Sequence, residues 1–187
     1  MDPPTPSPDL LSHFWTPVCA VGSHGPRGPN AQVCVSVFGA GIVPDRPRLL
    51  VGLYRTNYTT ELVQQSGTLA VSLLAESQAG SLGPLGLESG RDGPKLDGLG
   101  CALTPSGDPY FPDSVGMLDC AVIESFDMGD AMAFLCAVRE RRSLAGGAPL
   151  TTTRLRELAS ADFLARWGAK NLREQALSRE SMHWLAG

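Results

Sequence analysis

The chain has 187 residues, enough for one domain that buries roughly two-thirds of the surface its unfolded form would expose. Fifteen Lys plus Arg against nineteen Asp plus Glu give a net charge of −4 with no basic block, which excludes nucleic acid and anionic membranes as expected partners. The five cysteines, Cys19, Cys34, Cys101, Cys120 and Cys136, are odd in number and contain no Cys-x-x-Cys pair, so they read as reduced core thiols.

Residues 1–14 form a Pro-rich arm that lacks the basic and apolar regions of a secretory signal, and no apolar run approaches the ~18 residues of a membrane span. A cytoplasmic protein is expected. Short apolar segments then recur at 17–21, 33–38, 48–54, 68–74, 120–126 and 131–138, with turn residues between them. Six strands with few intervening helices favour a mainly β barrel or sandwich over a parallel sheet. The connector "DMGD", 127–130, fits a tight hairpin loop. In "TTELVQQSG", 59–67, a threonine able to cap, Glu61 near the positive end and a closing Gly67 predict a short helix. A long connector runs from Glu76 to Met117. From Thr153 to Leu185 the composition predicts a helical pair, with a new start at Ser160-Ala161-Asp162 and with Phe163 and Trp167 one turn apart. The expected organisation is the arm at 1–14, a β domain at 15–150 and a helical extension at 151–187.

Histidine occurs only at His13, His24 and His183, none at metal-ligand spacing, and no nucleophile elbow, zinc-protease motif or Walker lysine is present. "FGAGIV" lacks the third glycine of a dinucleotide fingerprint. Two polar constellations remain. In "NAQVCVSVF", Asn30, Gln32 and Ser36 share parity along a strand and project to one face. In "YRTNYTT", Arg55, Thr56, Asn57, Thr59 and Thr60 precede a helix whose unpaired N–H groups favour an anion. Asn57-Tyr58-Thr59 is a glycosylation acceptor only in a secreted chain, which leaves two readings open: a capped helix, or half of a phosphate site.

The order "TPVCAV…NAQVCVSVF…VPDRPRLLVGLYRTNYTTELVQQSGTLAVSLL…SGRDGPKL…D.GD" resembles the flavin reductase-like family of FMN-binding split β-barrels, from about Trp15 to about Val138. That resemblance implies a six-stranded split barrel with short connecting helices and a C-terminal helical tail, assembled as a homodimer. It places Asn30, Gln32, Val33, Cys34, Ser36 and Val37 beside the flavin and its ribityl chain. It puts Arg55, Thr56, Asn57, Thr59 and Thr60 at the phosphate. The loop carrying Ser89, Gly90, Arg91, Asp92 and Lys95 is implied to close over the cofactor.

The implied activity is NAD(P)H-dependent flavin reduction: NADH or NADPH donates hydride to FMN, and the flavin ring carries the chemistry while the protein positions it. A flavin-dependent oxygenase or another electron acceptor is the implied partner, and no metal is expected. Cys34 and Val35 stand where many relatives have small hydroxyl residues, and Leu69 replaces a frequent aromatic. The sixth strand also lacks the histidine that some family reductases place near the nicotinamide. An FMN-binding electron-transfer or redox-sensing protein is therefore the alternative. A barrel without flavin that offers its C-terminal helices to a partner is a third reading.

Overall fold

The computed structural model describes residues 14, 16–144 and 146–182. Most of the Pro-rich arm, Trp15, His13, His183 and the last residues of the expected tail helix lie outside that range. Among the described residues, nine strands and four α-helices follow in chain order. The first half holds β1 (Cys19–Gly25), β2 (Gly28–Cys34), β3 (Val37–Gly39), β4 (Arg48–Tyr54), α1 (Tyr58–Ser66) and β5 (Thr68–Leu73). A 3-10 turn (Glu76–Ser81) leads into α2 (Leu82–Leu87), and β6 (Ala102–Leu103) and β7 (Pro109–Tyr110) form a small ribbon. The long strands β8 (Gly116–Asp127) and β9 (Ala131–Ser143) precede α3 (Thr152–Leu158) and α4 (Ala161–Arg179).

Seven strands make one antiparallel sheet in the order β2-β1-β5-β8-β9-β4-β3. Since β2 and β3 are consecutive in the chain yet lie at opposite ends of that order, the sheet must curl until its edges meet. The seam is at Ser36, whose carbonyl accepts the Gly52 N–H at 2.8 Å. A Cβ on Gly52 would lie 3.2 Å from that of Ser36, so the small residue permits the close approach. The fold is a mainly β split barrel.

Alternation along the strands divides the apolar side chains into two clusters. Cys19, Val21, Val51, Leu69, Phe134 and Cys136 fill the barrel interior. Val18, Ala20, Ala31, Leu82, Leu85 and Phe111 pack on the outer face under the 3-10 turn and α2. All five cysteines are unbridged thiols, and four are buried.

The structure departs from the sequence expectation in three places. The segment 33–38 is two strands, because the chain turns at Val35-Ser36 to cross from one sheet edge to the other. "GSHGPRGPN" is not a loop: Ser23 to Gly25 and Gly28 to Asn30 pair in register as the end of a hairpin closed by Pro26-Arg27. The helix expected at 59–67 starts earlier, with Asn57 and not a threonine at the N-cap, so Thr59 and Thr60 lie inside α1. Its end is as expected, with Gly67 in the left-handed region at φ 69° and its N–H bonded to the Val63 carbonyl. The 127–130 loop does form a hairpin, with the Met128 N–H bonded to the Ala131 carbonyl and Gly129 at φ 84°. The tail is a helical pair whose second member starts at Ser160, where the side chain accepts the Phe163 N–H.

Candidate functional site

A pocket of about 520 Å³ opens between the end of β2, the first turn of α1, the loop after α2, and α4. From β2, Asn30 and Gln32 enter it, both buried and sharing the parity of Cys34. The Asn30 amide donates from Nδ2 to Thr59 Oγ1 at 2.7 Å, which ties the strand to the helix. Thr56, Asn57, Tyr58 and Thr59 supply the second wall at the positive end of α1. The Asn57 side chain caps no backbone N–H.

The third wall is the loop 88–95. Gly90 sits directly on Asn30, where a Cβ would lie 2.3 Å from Oδ1, so no other residue fits without displacing the strand or loop. Ser89 starts a tight turn, its Oγ accepting the Arg91 N–H and its carbonyl the Asp92 N–H. Arg91 donates to the Thr56 carbonyl at 2.7 Å and pairs with Glu61, fastening the loop to α1. Arg27 and Arg91 lie over the Tyr58 ring at 4.8 and 5.6 Å.

Lys95 is only 9% exposed and donates to the Glu88 and Leu85 carbonyls at 3.0 and 3.4 Å. Burial, reinforced by the neighbouring Lys170 ammonium and opposed by Glu88, lowers its pKa from 10.5 to about 8. The fourth wall is α4: Lys170 donates to the Gly86 carbonyl at 2.6 Å and approaches Glu174 at 3.5 Å.

Ten of the residues singled out in the sequence line this pocket: Asn30, Gln32, Thr56, Asn57 and Thr59, then Ser89, Gly90, Arg91, Asp92 and Lys95. Six do not. Val33 packs on the outer cluster, while Cys34 and Val37 pack with the barrel core. Ser36 forms the seam, away from the face it was expected to share with Asn30 and Gln32. Burial pushes the Cys34 thiol up to about 12. The Thr60 hydroxyl donates to the Tyr54 carbonyl at 2.6 Å. Arg55 turns to the β8–β9 hairpin, pairing with Asp127 at 2.6 Å and donating from Nε to the Gly129 carbonyl at 2.6 Å.

Lys170 and Glu174 were not foreseen, although the spacing 163, 167, 170, 174 traces one helical stripe that already contained the two noted aromatics.

The pocket fits a flavin nucleotide on its own chemistry. Gln32 Oε1 and Thr56 Oγ1 are buried without a hydrogen-bond partner, and both residues line it. Buried polar atoms of this kind cost about 1–3 kcal/mol each unless something fills the site. Donors from α1 and the loop sit around the same volume.

Residues 11–157 match the flavin reductase like domain. This chain belongs to the flavin reductase-like family. The family member is 32% identical over 124 residues to a high molecular weight rubredoxin of Moorella thermoacetica, covering 65% of this chain and 53% of that protein. The chain thus spans about half the length of that relative. It is 26% identical over 141 residues to HsaB of Rhodococcus jostii, named the reductase subunit of a flavin-dependent monooxygenase, covering 72% of this chain and 70% of the relative. Among solved structures, the NADH:FAD oxidoreductase SgcE6 of Streptomyces globisporus superposes with a TM-score of 0.64 at 22% identity, over 75% of this chain and 89% of the other. That likeness is one of fold.

Lys95 generates a pH prediction for this flavin reductase-like protein. Its folded pKa lies below the unfolded value, so between about pH 8 and 10.5 the unfolded chain binds more protons and stability rises with pH. The buried thiols act in the opposite sense: burial raises Cys19 and Cys34 from 9.0 to about 12, so between those pH values the folded chain binds more protons and stability falls with pH. Urea unfolding of wild type and Lys95→Met at matched pH separates the two. The gap in stability between the variants, favouring methionine at pH 7, should narrow steadily from pH 8 to 10.5; a constant gap would contradict the placement of a buried, depressed ammonium.

Proposed function

We propose that the protein is an NAD(P)H-dependent flavin reductase that binds FMN in the pocket between β2, α1 and the 88–95 loop, works as a homodimer, and passes reduced flavin to a separate oxygenase. The observation that carries this reading is the pair of unpartnered buried polar groups, the Gln32 Oε1 acceptor and the Thr56 hydroxyl, in a cavity walled by a helix start. Family membership supports the same class, and the relative named as the reductase subunit of a flavin-dependent monooxygenase supports the oxygenase partner.

In this reading Thr56, Asn57 and Thr59 hold the phosphate at the positive end of α1, and Asn30 and Gln32 hold the ribityl chain and ring. The loop from Ser89 to Lys95 excludes water from one side. Bound flavin supplies hydride acceptance and release, which no side chain of the protein can provide. Arg55, engaged by Asp127 and Gly129, braces the start of α1 against the β8–β9 hairpin.

The homodimer is supported by the outer sheet face. Register places Phe38 beside Leu50, Leu50 beside Leu135, and Phe126 on the same face two residues along from Leu135's partner Glu124. Phe38, Ile123, Phe126 and Met128 are exposed, and an apolar strip of this kind calls for a cover. A second reading, an electron-transfer flavoprotein, is favoured by one specific feature: β9 contains no histidine, and one relative bears the name rubredoxin.

Three measurements test this. Gln32→Leu and Thr56→Val should each weaken FMN by roughly three- to tenfold in calorimetry while raising the melting temperature of the flavin-free protein, because each removes a polar atom whose partner is the ligand. Neutral or lowered stability with unchanged affinity would mean those atoms do not face FMN. In anaerobic stopped flow, NADH or NADPH should bleach the bound flavin within seconds; flavin that stays oxidised with both nucleotides, yet is reduced by dithionite, decides for electron transfer. Sedimentation should report a dimer for wild type and monomers for Phe126→Asp, and a monomeric wild type with flavin bound would exclude the homodimer.

A further inference from the structure

We infer that α4 is a working wall of the ligand site and that Lys170, beside Lys95, either adds a cation to the phosphate held by Thr56, Asn57 and Thr59 or takes the second phosphate of a dinucleotide. This rests on the flavin reading above and extends it to a segment that lies beyond the matched residues 11–157.

The helix is seated by shape as well as charge. Trp167 packs on Gly86, where a Cβ would lie 2.5 Å from the indole, so a glycine at that point of α2 is what lets the helices touch. Phe163 stacks against Trp167 with centroids 5.2 Å apart and packs on the outer apolar cluster. One turn and then another along the same stripe, Lys170 and Glu174 reach the pocket.

The two lysines converge on one small region. Lys170 donates to the carbonyl of Gly86, and Lys95 to those of Leu85 and Glu88, so both ammonium groups crowd the C-terminal end of α2. Each ammonium has three protons, and the carbonyls take one from Lys170 and two from Lys95. Glu174 pairs with Lys170 at 3.5 Å, and with that pair counted one proton remains on each ammonium beside the cavity. Capping six residues of helix does not require two cations; Lys170 has Glu174 as its ion-pair partner, while burial first and repulsion from Lys170 second hold the Lys95 pKa down despite Glu88. A phosphate would relieve that repulsion and use the spare protons.

The test is a series of ligands that differ in phosphate alone: riboflavin, FMN and FAD, titrated by flavin fluorescence into wild type, Lys170→Gln and Lys170→Arg. Glutamine keeps a donor for the Gly86 carbonyl while removing the charge. The expected result is that Lys170→Gln weakens FMN, FAD or both by roughly ten- to a hundredfold relative to riboflavin, with recovery in Lys170→Arg. Loss for FMN and FAD alike assigns the shared phosphate, and loss for FAD alone assigns the second one. Parallel losses for all three ligands, or no loss, would overturn the inference and leave Lys170 a helix contact. Absence of binding by wild type to every flavin would instead remove the functional reading on which it rests.

Discussion

The hydrogen bond from Asn30 to Thr59 holds the pocket together, because it is the point where strand, helix and loop are positioned against one another. Both residues are buried and the 2.7 Å contact joins β2 to α1 across 29 positions of sequence. Gly90 rests on the Asn30 amide, so the loop takes its height from the same side chain. A bond of this type contributes only about 0.5–1.5 kcal/mol net, but leaving one partner unpaired costs about 1–3 kcal/mol. Its value is therefore geometric: alternatives in which β2 slips or α1 rotates strand two buried polar groups. It also sets hydrogen-bond polarity at the site, since Thr59 Oγ1 accepts from Asn30 and its own proton is left to donate into the cavity.

The same contact explains which parts of the fold were legible in the sequence. Strands whose inner residues are apolar, such as β4, β5 and the middle of β9, show as hydrophobic runs. The β1–β2 hairpin does not, because at its far end the inward residues are polar: Asn30 and Gln32 line the pocket and Ser23 bonds to Ser66 and Thr68. With Gly, Pro and His between them, these residues carry the composition of a turn, and a strand lined with polar groups cannot be distinguished from a loop by hydropathy. The break at Val35-Ser36 was hidden for the opposite reason: six residues of strand-like composition straddle a corner at which side chains leave the site face for the seam. Parity along a continuous strand put Ser36 on the face of Asn30 and Gln32, and the corner removes it from that face; Val33 and Val37 were implied by the family resemblance alone.

Charge at the site is organised by pairing rather than by excess. Around a pocket in a chain of net charge −4, Arg27 and Arg91 bracket Tyr58, Arg91 is held by Glu61, and Arg55 is held by Asp127. These pairs are largely exposed and contribute little to stability. What they do is fix where cations stand: Arg91 at the loop base, Arg55 away from the cavity, and Lys95 beneath the loop. Sequence composition could list the cations but not their assignment, because Arg55 and Arg91 are equally close in chain to polar motifs. Only the hairpin brought near by the β4–β9 pairing decides that Arg55 turns outward.

The tail helix presents the converse case, in which periodicity was visible but its target was not. No residue of α4 is fully buried, and its hold on the body comes from a half-buried stripe through Phe163, Trp167 and Lys170. An element attached by so little apolar surface opens at a free energy well below that of the barrel, whose interior is closed on every strand. Anything bound between α4 and the loop stabilises the docked arrangement in proportion to its occupancy. The Asn30–Thr59 bond and the 88–95 loop thus define three sides of the pocket from the barrel outward, while the fourth side depends on the seating of Trp167 and Lys170 against Gly86.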